Sequence, residues 1–287
     1  MGRAIAATIR RSTRAVLIRM GSRHPYLDLE PGEVLPACPP GRSIVPVRPN
    51  SVPLSICLLC CNEKANLEVF LPRVEAVLVE VASQRAWVTA GEVVIVDDGS
   101  TDGTDAWLAS RTWTVPWRTV RHAKRSGYGA AVRSGLAAAT GDVVVYLDGD
   151  GQYRVEELPA LLALVESGCD VVAGVRTDRQ DPFHRLAIGG SYNLLMRQVT
   201  GVSFRDVDCG FKVLRRRVVD SLRLTCDGNL VGAELMAKCQ RAGFDVRQVP
   251  VTHLPRTRGR AKGADLFSII GSVRELVSAW NELRPPR

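Results

Sequence analysis

The sequence predicts an α/β fold with an open, mostly parallel sheet and helices on both faces. Two observations lead to this prediction. Short apolar runs alternate with helical patterns from Leu54 onward, and polar or acidic residues follow several of these runs. Strands that alternate with helices at this spacing pair in parallel, because each connecting helix crosses one face of the sheet. Ligands of such folds bind beyond the carboxyl ends of the strands, so the residues after each apolar run are the candidates for function.

The individual elements follow one another in regular order along the chain. The predicted strands are LSICLLC (54–60), EVVIVD (92–97), WRTVRHA (117–123), DVVVYLD (142–148) and DVVAGV (170–175). Helical patterns are predicted near 66–82, 104–110, 128–139 and 155–167. The strands are short and mostly rich in β-branched residues, whereas the helical stretches place apolar residues at helical spacing.

The regions that flank this alternating part differ from it in composition. Residues 1–53 are predicted to be a basic extension with a proline-rich linker, residues 54–262 the folded domain, and residues 263–287 an amphipathic C-terminal helix. The pattern at 1–23 fits a helix on an anionic membrane surface, a targeting peptide or a packed tail. No apolar run reaches the ~20 residues of a membrane span. We therefore expect a cytoplasmic protein, at most peripheral on the membrane face.

The distribution of charge and of cysteine limits the classes of partner. The formal net charge is +8, but residues 1–27 hold six arginines and no acid, which leaves +2 for the other 260 residues. Aromatic residues make up only 6% of the chain, so a basic surface with interleaved aromatics, as nucleic-acid binding requires, is not expected. The eight cysteines, several inside apolar runs, are typical of buried thiols in a reducing compartment. Phosphate or anionic lipid is the favoured type of partner.

Polar and acidic side chains follow three of the predicted strands. They are Asn62 and Glu63 after the first, Asp97 and Asp98 after the second, and Asp148, Asp150 and Gln152 after the fourth. Carboxylates gathered at one sheet edge raise one another's pKa unless a cation or an array of donors compensates. Mg²⁺ or Mn²⁺ suits such oxygen ligands and commonly bridges to substrate phosphates. The spacing does not match an EF-hand, which needs a closing glutamate.

A glycine-rich stretch, KRSGYGAAVRSGLAAATGD (124–142), lies between the second and fourth strands. Gly127-x-Gly129 opens a predicted helix, and backbone N–H groups there are expected to approach a phosphate, with Lys124 or Arg125 adding positive charge. It is not a dinucleotide-binding fingerprint, because that would follow the first strand.

Five short motifs occur in a fixed order along the chain. They are N-E (62–63), V-D-D-G-S-x-D-G-T (96–104), G-x-G-A-A-x-x-x-G (127–135), L-D-x-D-x-Q (147–152) and D-x-D-C-G-F-K (206–212). This order resembles the family 2 glycosyltransferases of the GT-A fold and, more narrowly, the polyprenyl-phosphate (dolichyl-phosphate) sugar synthases, over about residues 54–262. The resemblance implies an inverting enzyme that moves a sugar, mannose or glucose first, from a GDP- or UDP-linked donor to a polyprenyl phosphate, with Mg²⁺ or Mn²⁺.

The resemblance also implies roles for individual residues. Glu63, Asp97 and Asp98 match positions that hold the nucleotide base and ribose, and Asp148, Asp150 and Gln152 match the metal site on the diphosphate. Asp206 and Glu234 match acidic positions near the acceptor, and Arg176, Arg256 and Lys262 match cations that hold phosphate groups. Asp150, Asp206 and Arg176 are thus expected to be catalytic, with Lys124 and Gly127 on the donor.

Two points leave alternatives open. The family usually has Pro-x-Tyr-Asn-Glu after the first strand, whereas this chain has Leu59-Cys60-Cys61-Asn62-Glu63, which removes an aromatic surface for the base and leaves GDP or UDP undecided. A lipid phosphate is already anionic and needs no general base, whereas a soluble hydroxyl acceptor needs one, with Asp206 or Asp208 as candidates. A third reading is a non-catalytic protein that binds sugar nucleotides, against which the intact motifs argue.

Overall fold

A computed structural model describes residues 52–85, 88–177, 183–201, 204–256 and 258, with 275, 276, 278, 279 and 283. The predicted N-terminal extension (1–51), Lys262 and most of the predicted C-terminal helix lie outside the described residues. The proposed domain limits therefore stay predictions.

Seven strands form one sheet within the described part of the chain. They are β1 (Val52–Cys60), β2 (Val88–Asp97), β3 (Trp117–Arg121), β4 (Val143–Asp148), β5 (Val171–Thr177), β6 (Phe211–Arg215) and β7 (Val246–Thr252). Their order across the sheet is β3-β2-β1-β4-β6-β5-β7. Every pair is parallel except the two that involve β6, which runs antiparallel to β4 and to β5. The predicted open, mostly parallel sheet is confirmed.

Helices connect most of these strands. They are α1 (Lys64–Gln84), α2 (Thr104–Ser110), α3 (Tyr128–Ala138), α4 (Leu158–Glu166), α5 (Phe183–Thr200), α6 (Arg216–Ser221) and α7 (Val231–Arg241), with a 3-10 turn at Val155–Glu157. The five predicted strands and four predicted helices are all present, with ends that differ by a few residues. The elements after residue 177 were not predicted individually.

Side chains of β1 show how the helices cover both faces of the sheet. Ile56 and Leu58 face a core shared with α1 and α4, whereas Cys57 and Leu59 face a second core shared with α3, α5 and α7. All four side chains are buried. Successive side chains of a strand point to opposite faces, so an unbroken apolar run marks a strand that is covered on both sides. Six cysteines are buried as thiols, as predicted: Cys57, Cys60, Cys169, Cys209, Cys226 and Cys239.

The start of β1 differs from the prediction. The strand begins at Val52, so Pro53, which was assigned to the linker, is part of it. The pairing register with β2 shifts between Val52 and Leu54, which pair with Val88 and Gly91. Proline cannot donate a ladder hydrogen bond, and an irregularity of this kind is one of the few places where a central strand tolerates it.

The direction of β6 decides which loops meet. The parallel strands all end at one edge of the sheet, and β6 begins at that same edge because it runs the other way. Loops that follow β1, β2, β4, β5 and β7 therefore share one edge with the loop that precedes β6. In the part of the chain that the structure describes, no helix is both long and apolar enough to cross a membrane.

Candidate active site

The ends of three neighbouring strands lie side by side at this edge. Cys60 of β1 pairs with Asp97 of β2, and Leu59 pairs with Asp148 of β4. The acids predicted to follow separate strands are thus brought together by sheet register. The loops after β1 and β2 are also tied directly, since Asn62 N donates to Ser100 Oγ at 2.8 Å and Asn62 Oδ1 accepts from the Thr101 amide at 2.7 Å.

Asp148 and Asp150 form the acidic centre of this edge. Asp148 Oδ1 accepts a hydrogen bond from the Tyr128 hydroxyl at 2.9 Å, and Asp150 Oδ1 accepts one from the Gln152 amide at 3.1 Å. Burial raises the pKa of Asp148 above its ordinary value. Burial, and then the charge of Asp148, raise the pKa of Asp150 to about 7. The two carboxylates are therefore short of positive charge, which a bound cation would supply.

Arg256 supplies part of that positive charge in this structure. Its guanidinium lies between Asp150, at 3.1 Å from Oδ2, and Glu63, with which it forms a second ion pair. The segment that carries it is fixed to the same edge, since Gln152 Nε2 donates to the Leu254 carbonyl at 2.9 Å and the Leu254 amide donates back to Gln152 O at 2.7 Å. Arg256, the predicted phosphate-binding cation, thus lies beside Asp150, a predicted metal ligand.

Asp97 presents a buried oxygen without a donor. Its Oδ1 accepts from the Ser100 amide at 2.9 Å, while Oδ2 has no hydrogen-bond partner among the described residues. The nearest cation, Arg121 Nε, lies 3.8 Å away. A buried carboxylate oxygen that lacks a donor costs roughly 1–3 kcal/mol, so a donor from a ligand is favourable here.

Asp98 is bonded by the protein itself. Its two oxygens accept three hydrogen bonds: from the Ser126 amide at 2.7 Å, the Gly127 amide at 3.0 Å and His122 Nδ1 at 2.7 Å. Asp98 therefore shapes the loop before α3, and its expected contact with the nucleotide stays a prediction.

Backbone amides of the glycine-rich loop also have acceptors within the protein. The Gly127 amide is used by Asp98, and the amides of Gly129 and Ala130 donate to the Asp227 carbonyl at 2.7 and 3.1 Å. The N–H groups expected to meet a phosphate are therefore already bonded. A side chain at Gly127 or Gly129 would overlap the backbone carbonyls of Asp227 or Cys226, so these glycines serve close packing. Lys124 is exposed at this loop.

Glu234 is likewise bonded within the protein. It is fully buried on α7, and Oε1 accepts from Lys238 Nζ at 2.7 Å and from the amide and hydroxyl of Thr225 at 2.8 and 2.9 Å. Its Oε2 accepts from the Cys226 amide at 2.9 Å. These bonds hold the pKa of Glu234 below its ordinary value in spite of burial. Both oxygens are used, so the predicted place near the acceptor is not supported by these contacts.

Arg176 and Asp206, two of the predicted catalytic residues, are paired with each other. Arg176 Nε and Nη2 donate to Asp206 Oδ2 and Oδ1 at 2.7 and 2.8 Å, and the Arg176 amide donates to Oδ2 at 3.2 Å. Burial raises the pKa of Asp206, but these bonds and the guanidinium charge outweigh it and keep the pKa below its ordinary range. A carboxylate held in this way is a weak base.

Three residues at this edge were not assigned a role from the sequence, although motifs contain them. Tyr128 bonds to Asp148, and a side chain at Gly210 would overlap Asp148 Oδ2, so both fix the place of that carboxylate. Lys212 is fully buried and donates to the carbonyls of Val207 and Cys209 at 3.0 and 2.5 Å, which shapes the loop before β6. The sequence shows the motifs that contain these residues, but it does not show their long-range contacts.

The donor set fits a hard divalent cation that is completed by substrate. Within the described ranges, no group of three or more His, Cys, Asp or Glu side chains is placed to hold a metal ion alone. Asp148 and Asp150 offer carboxylate oxygens, and Gln152 commits its amide nitrogen to Leu254, which leaves the amide oxygen as a ligand. Mg²⁺ is usually bound by one or two carboxylates together with substrate phosphates. The residues present therefore fit such an ion.

Comparison with solved structures gives the class of fold. Glucosyl-3-phosphoglycerate synthase of Mycobacterium tuberculosis, in complex with Mn²⁺ and uridine-diphosphate-glucose, has a similar chain fold, with a TM-score of 0.59 at 22% identity over 82% of this chain and 80% of that one. Its complex with uridine-diphosphate gives a TM-score of 0.58 at 21% identity, over 87% of each chain. The fold is the GT-A fold of nucleotide-sugar transferases, as predicted.

Comparison of sequences gives the family. Residues 55–223 match the model of glycosyl transferase family 2, and the chain belongs to this family. It is 32% identical over 211 residues to an undecaprenyl-phosphate 4-deoxy-4-formamido-L-arabinose transferase of Pseudomonas fluorescens, with 73% of this chain and 59% of the relative covered. A transferase of the same description from Pseudomonas savastanoi is 33% identical, with 73% and 60% covered. The chain spans about three fifths of the length of these relatives.

Proposed function

We propose that this protein transfers a sugar from a nucleoside-diphosphate sugar to a polyprenyl phosphate, with inversion at the anomeric carbon and with Mg²⁺ or Mn²⁺ at Asp148, Asp150 and Gln152. The observation that carries the proposal is the pair of neighbouring, half-buried carboxylates, Asp148 and Asp150, whose raised pKa values indicate a deficit of positive charge at the end of β4. A divalent ion, bound together with a diphosphate, would supply the missing positive charge.

The reaction needs positive charge at this sheet edge because of its leaving group. A nucleoside diphosphate leaves only when its developing negative charge is neutralised, and a bound divalent ion supplies that as a Lewis acid. Asp148 and Asp150 would hold the ion, and Arg256, which lies between Asp150 and Glu63, would turn toward the diphosphate. Asp97 Oδ2, which has no donor among the described residues, is a natural acceptor for an N–H or O–H of the nucleoside.

The state of Asp206 favours a phosphate acceptor over a hydroxyl acceptor. A hydroxyl must lose a proton to a base as it attacks, whereas a phosphate oxygen is already anionic near neutral pH. Asp206, one predicted base, is held by Arg176 with a lowered pKa, so it is unsuited to take that proton. The Arg176–Asp206 pair also keeps a guanidinium near Asp148, where it would position the acceptor phosphate.

The nature of the donor and the acceptor is supported by the comparisons. The relatives are described as undecaprenyl-phosphate transferases, which supports a polyprenyl phosphate as acceptor. The solved structures of similar fold hold uridine-diphosphate or uridine-diphosphate-glucose, which supports UDP ahead of GDP as the nucleotide. The identity of the transferred sugar, mannose or glucose, stays a prediction. The description of the relatives adds 4-deoxy-4-formamido-L-arabinose as a third candidate. A lipid acceptor would place the reaction at the cytoplasmic membrane face.

The test is transfer of labelled sugar into lipid. Purified full-length protein is incubated with Mn²⁺, undecaprenyl phosphate in detergent and each of a panel of labelled donors: UDP-glucose, GDP-mannose and a nucleotide-linked 4-deoxy-4-formamido-L-arabinose. We expect label in the organic phase with one donor, its loss in EDTA and its return when Mn²⁺ is restored.

The possible outcomes separate the alternatives. Label that stays in the aqueous phase on a phosphorylated or hydroxyl compound would replace the lipid acceptor by a soluble one. Full activity in EDTA would remove the metal role. Nucleotide binding without turnover on any acceptor would indicate a binding protein in place of an enzyme.

A further inference from the structure

Tyr128 stands out at the acidic edge because its hydroxyl is aimed at a predicted metal ligand. It is the first residue of α3, and its hydroxyl donates to Asp148 Oδ1 at 2.9 Å. The whole carboxylate group also lies against Gly210, where there is no room for a side chain. The carboxylate is thus held by a donor on Oδ1 and by packing against Gly210.

The place of Tyr128 is set by contacts on both sides of the start of α3. The preceding amides of Ser126 and Gly127 are bonded to Asp98, and the following amides of Gly129 and Ala130 to the Asp227 carbonyl. The two backbone amides on each side of Tyr128 are therefore satisfied, by the residue that follows β2 and by the loop at 225–228.

The loop at 225–228 is itself held by two acids, of which Glu234 is fully buried, and by one arginine. Glu234 accepts from the amides of Thr225 and Cys226, and Glu275 accepts from the amides of Asp227 and Gly228. Arg133 of α3 completes the arrangement by donating to the Cys226 carbonyl and to the Asp227 carboxylate. An acid far along the chain is linked in this way to the start of α3.

We propose that Tyr128 is a positioning residue that holds the Asp148 carboxylate in the orientation needed to bind the divalent cation, and that Glu234 sets the place of Tyr128 through the loop at 225–228. The inference rests on the proposed function, since it assigns Asp148 to the cation. It gives Glu234 a role in metal affinity without any contact with substrate. Burial and the charge of Asp148 raise the pKa of Tyr128, so the phenol keeps the proton that it donates.

The experiment measures Mn²⁺ affinity directly, by electron paramagnetic resonance of free Mn²⁺, in the full-length protein with and without UDP. Tyr128→Phe removes only the hydroxyl and should weaken Mn²⁺ binding by about 5- to 50-fold, the effect of one hydrogen bond to a charged group. Glu234→Gln should weaken it by a smaller factor. In a transfer assay, raising Mn²⁺ should restore kcat of Tyr128→Phe, because the loss lies in metal binding.

Ser55→Ala is the matched control. Ser55 is fully buried on β1 at the opposite end of the sheet, where its hydroxyl bonds to Glu92 at 2.7 Å, so the variant loses a buried hydroxyl far from Asp148. It should lower the melting temperature and leave the Mn²⁺ dissociation constant unchanged. Unchanged Mn²⁺ affinity in both Tyr128→Phe and Glu234→Gln overturns the inference. Wild-type protein that binds no Mn²⁺ with UDP or GDP contradicts the metal role of the proposed function itself, which is a different result.

Discussion

Half-buried carboxylates lie at both ends of the same sheet, and their hydrogen bonding differs. Near the amino ends of β1 and β4, Glu92 accepts from the Ser55 hydroxyl at 2.7 Å, from the Thr140 amide at 2.8 Å and from the Thr140 hydroxyl at 2.7 Å, and Arg118 pairs with its other oxygen. Burial raises the pKa of Glu92, but these bonds outweigh it and lower the pKa to about 2.

At the carboxyl ends, Asp148 and Asp150 have fewer donors and each other's charge. Burial and this repulsion raise the pKa of Asp150 to about 7. The difference shows that partial burial of an acid does not by itself identify a functional site. The number of donors the protein supplies decides whether the acid stabilises the fold, as Glu92 does, or keeps an affinity for a cation.

The largest expected effect comes from removing Asp150. Asp150→Ala should reduce sugar transfer by about 10³-fold or more, because the charge that develops on the diphosphate is no longer neutralised through this carboxylate. Initial rates at saturating donor and Mn²⁺ measure the effect. Glu92→Gln is the control at the opposite end of the sheet and should keep the wild-type rate at a temperature where it is folded. Equal losses in the two variants would mean that the contrast between the ends has no catalytic meaning.

The next largest effect is on stability, and here the loss is expected at Glu92 and not at Asp150. Glu92→Gln should lower the free energy of unfolding by about 2–3 kcal/mol at pH 7, because a neutral amide cannot accept four donors as a carboxylate does. Asp150→Asn should leave stability unchanged or raise it, since it removes a poorly compensated charge. Urea denaturation of both variants without metal gives the comparison. A stability loss in Asp150→Asn that matches Glu92→Gln would contradict it.

The smallest effect is a difference in pH dependence. For Glu92 the folded pKa lies below the unfolded value of 4.5, so its contribution is present above pH 4.5 and is lost as pH falls toward about 2. For Asp150 the folded pKa lies above the unfolded value of 3.8, so stability falls as pH rises from about 4 to 7. Each contribution should be about 1–3 kcal/mol in metal-free protein.

These pH slopes can be separated by variants. Unfolding free energies from pH 3 to 8 should lose the acid-side slope in Glu92→Gln and the slope between pH 4 and 7 in Asp150→Asn. Mn²⁺ should reverse the second slope in wild-type protein, because the ion binds the ionised carboxylate. The same slope in Asp150→Asn as in wild type would show that another group titrates there.

The sequence allowed β1, β2, β4 and β5 to be predicted because buried parallel strands are nearly continuous apolar runs. It did not reveal β6, whose FKVLR carries two cations, since Lys212 is buried against two carbonyls and the Tyr146 ring, 5.2 Å away. The direction of β6 follows from its partners on either side, which no local pattern encodes.

The candidate site, like the fold, could be predicted from the sequence only in part. Motif order located Asp148, Asp150 and Gln152, and the structure brings them to one sheet edge with Glu63 and Arg256. It could not distinguish Asp97, which keeps an oxygen without a donor in the described residues, from Asp98, which is bonded by three groups. Both acids follow the same strand, and the donors that differ come from another loop.

The pairing of Arg256 with Glu63 has a consequence for how the protein is made. The two residues are 193 positions apart, so Glu63 is synthesised long before the guanidinium that pairs with it. Until Arg256 has been made, the acids after β1 and β4 have no contact with this cation. Its ion pairs with Glu63 and Asp150 join the loops after β1 and β4 to the segment after β7, so they form only once the last described strand has been synthesised.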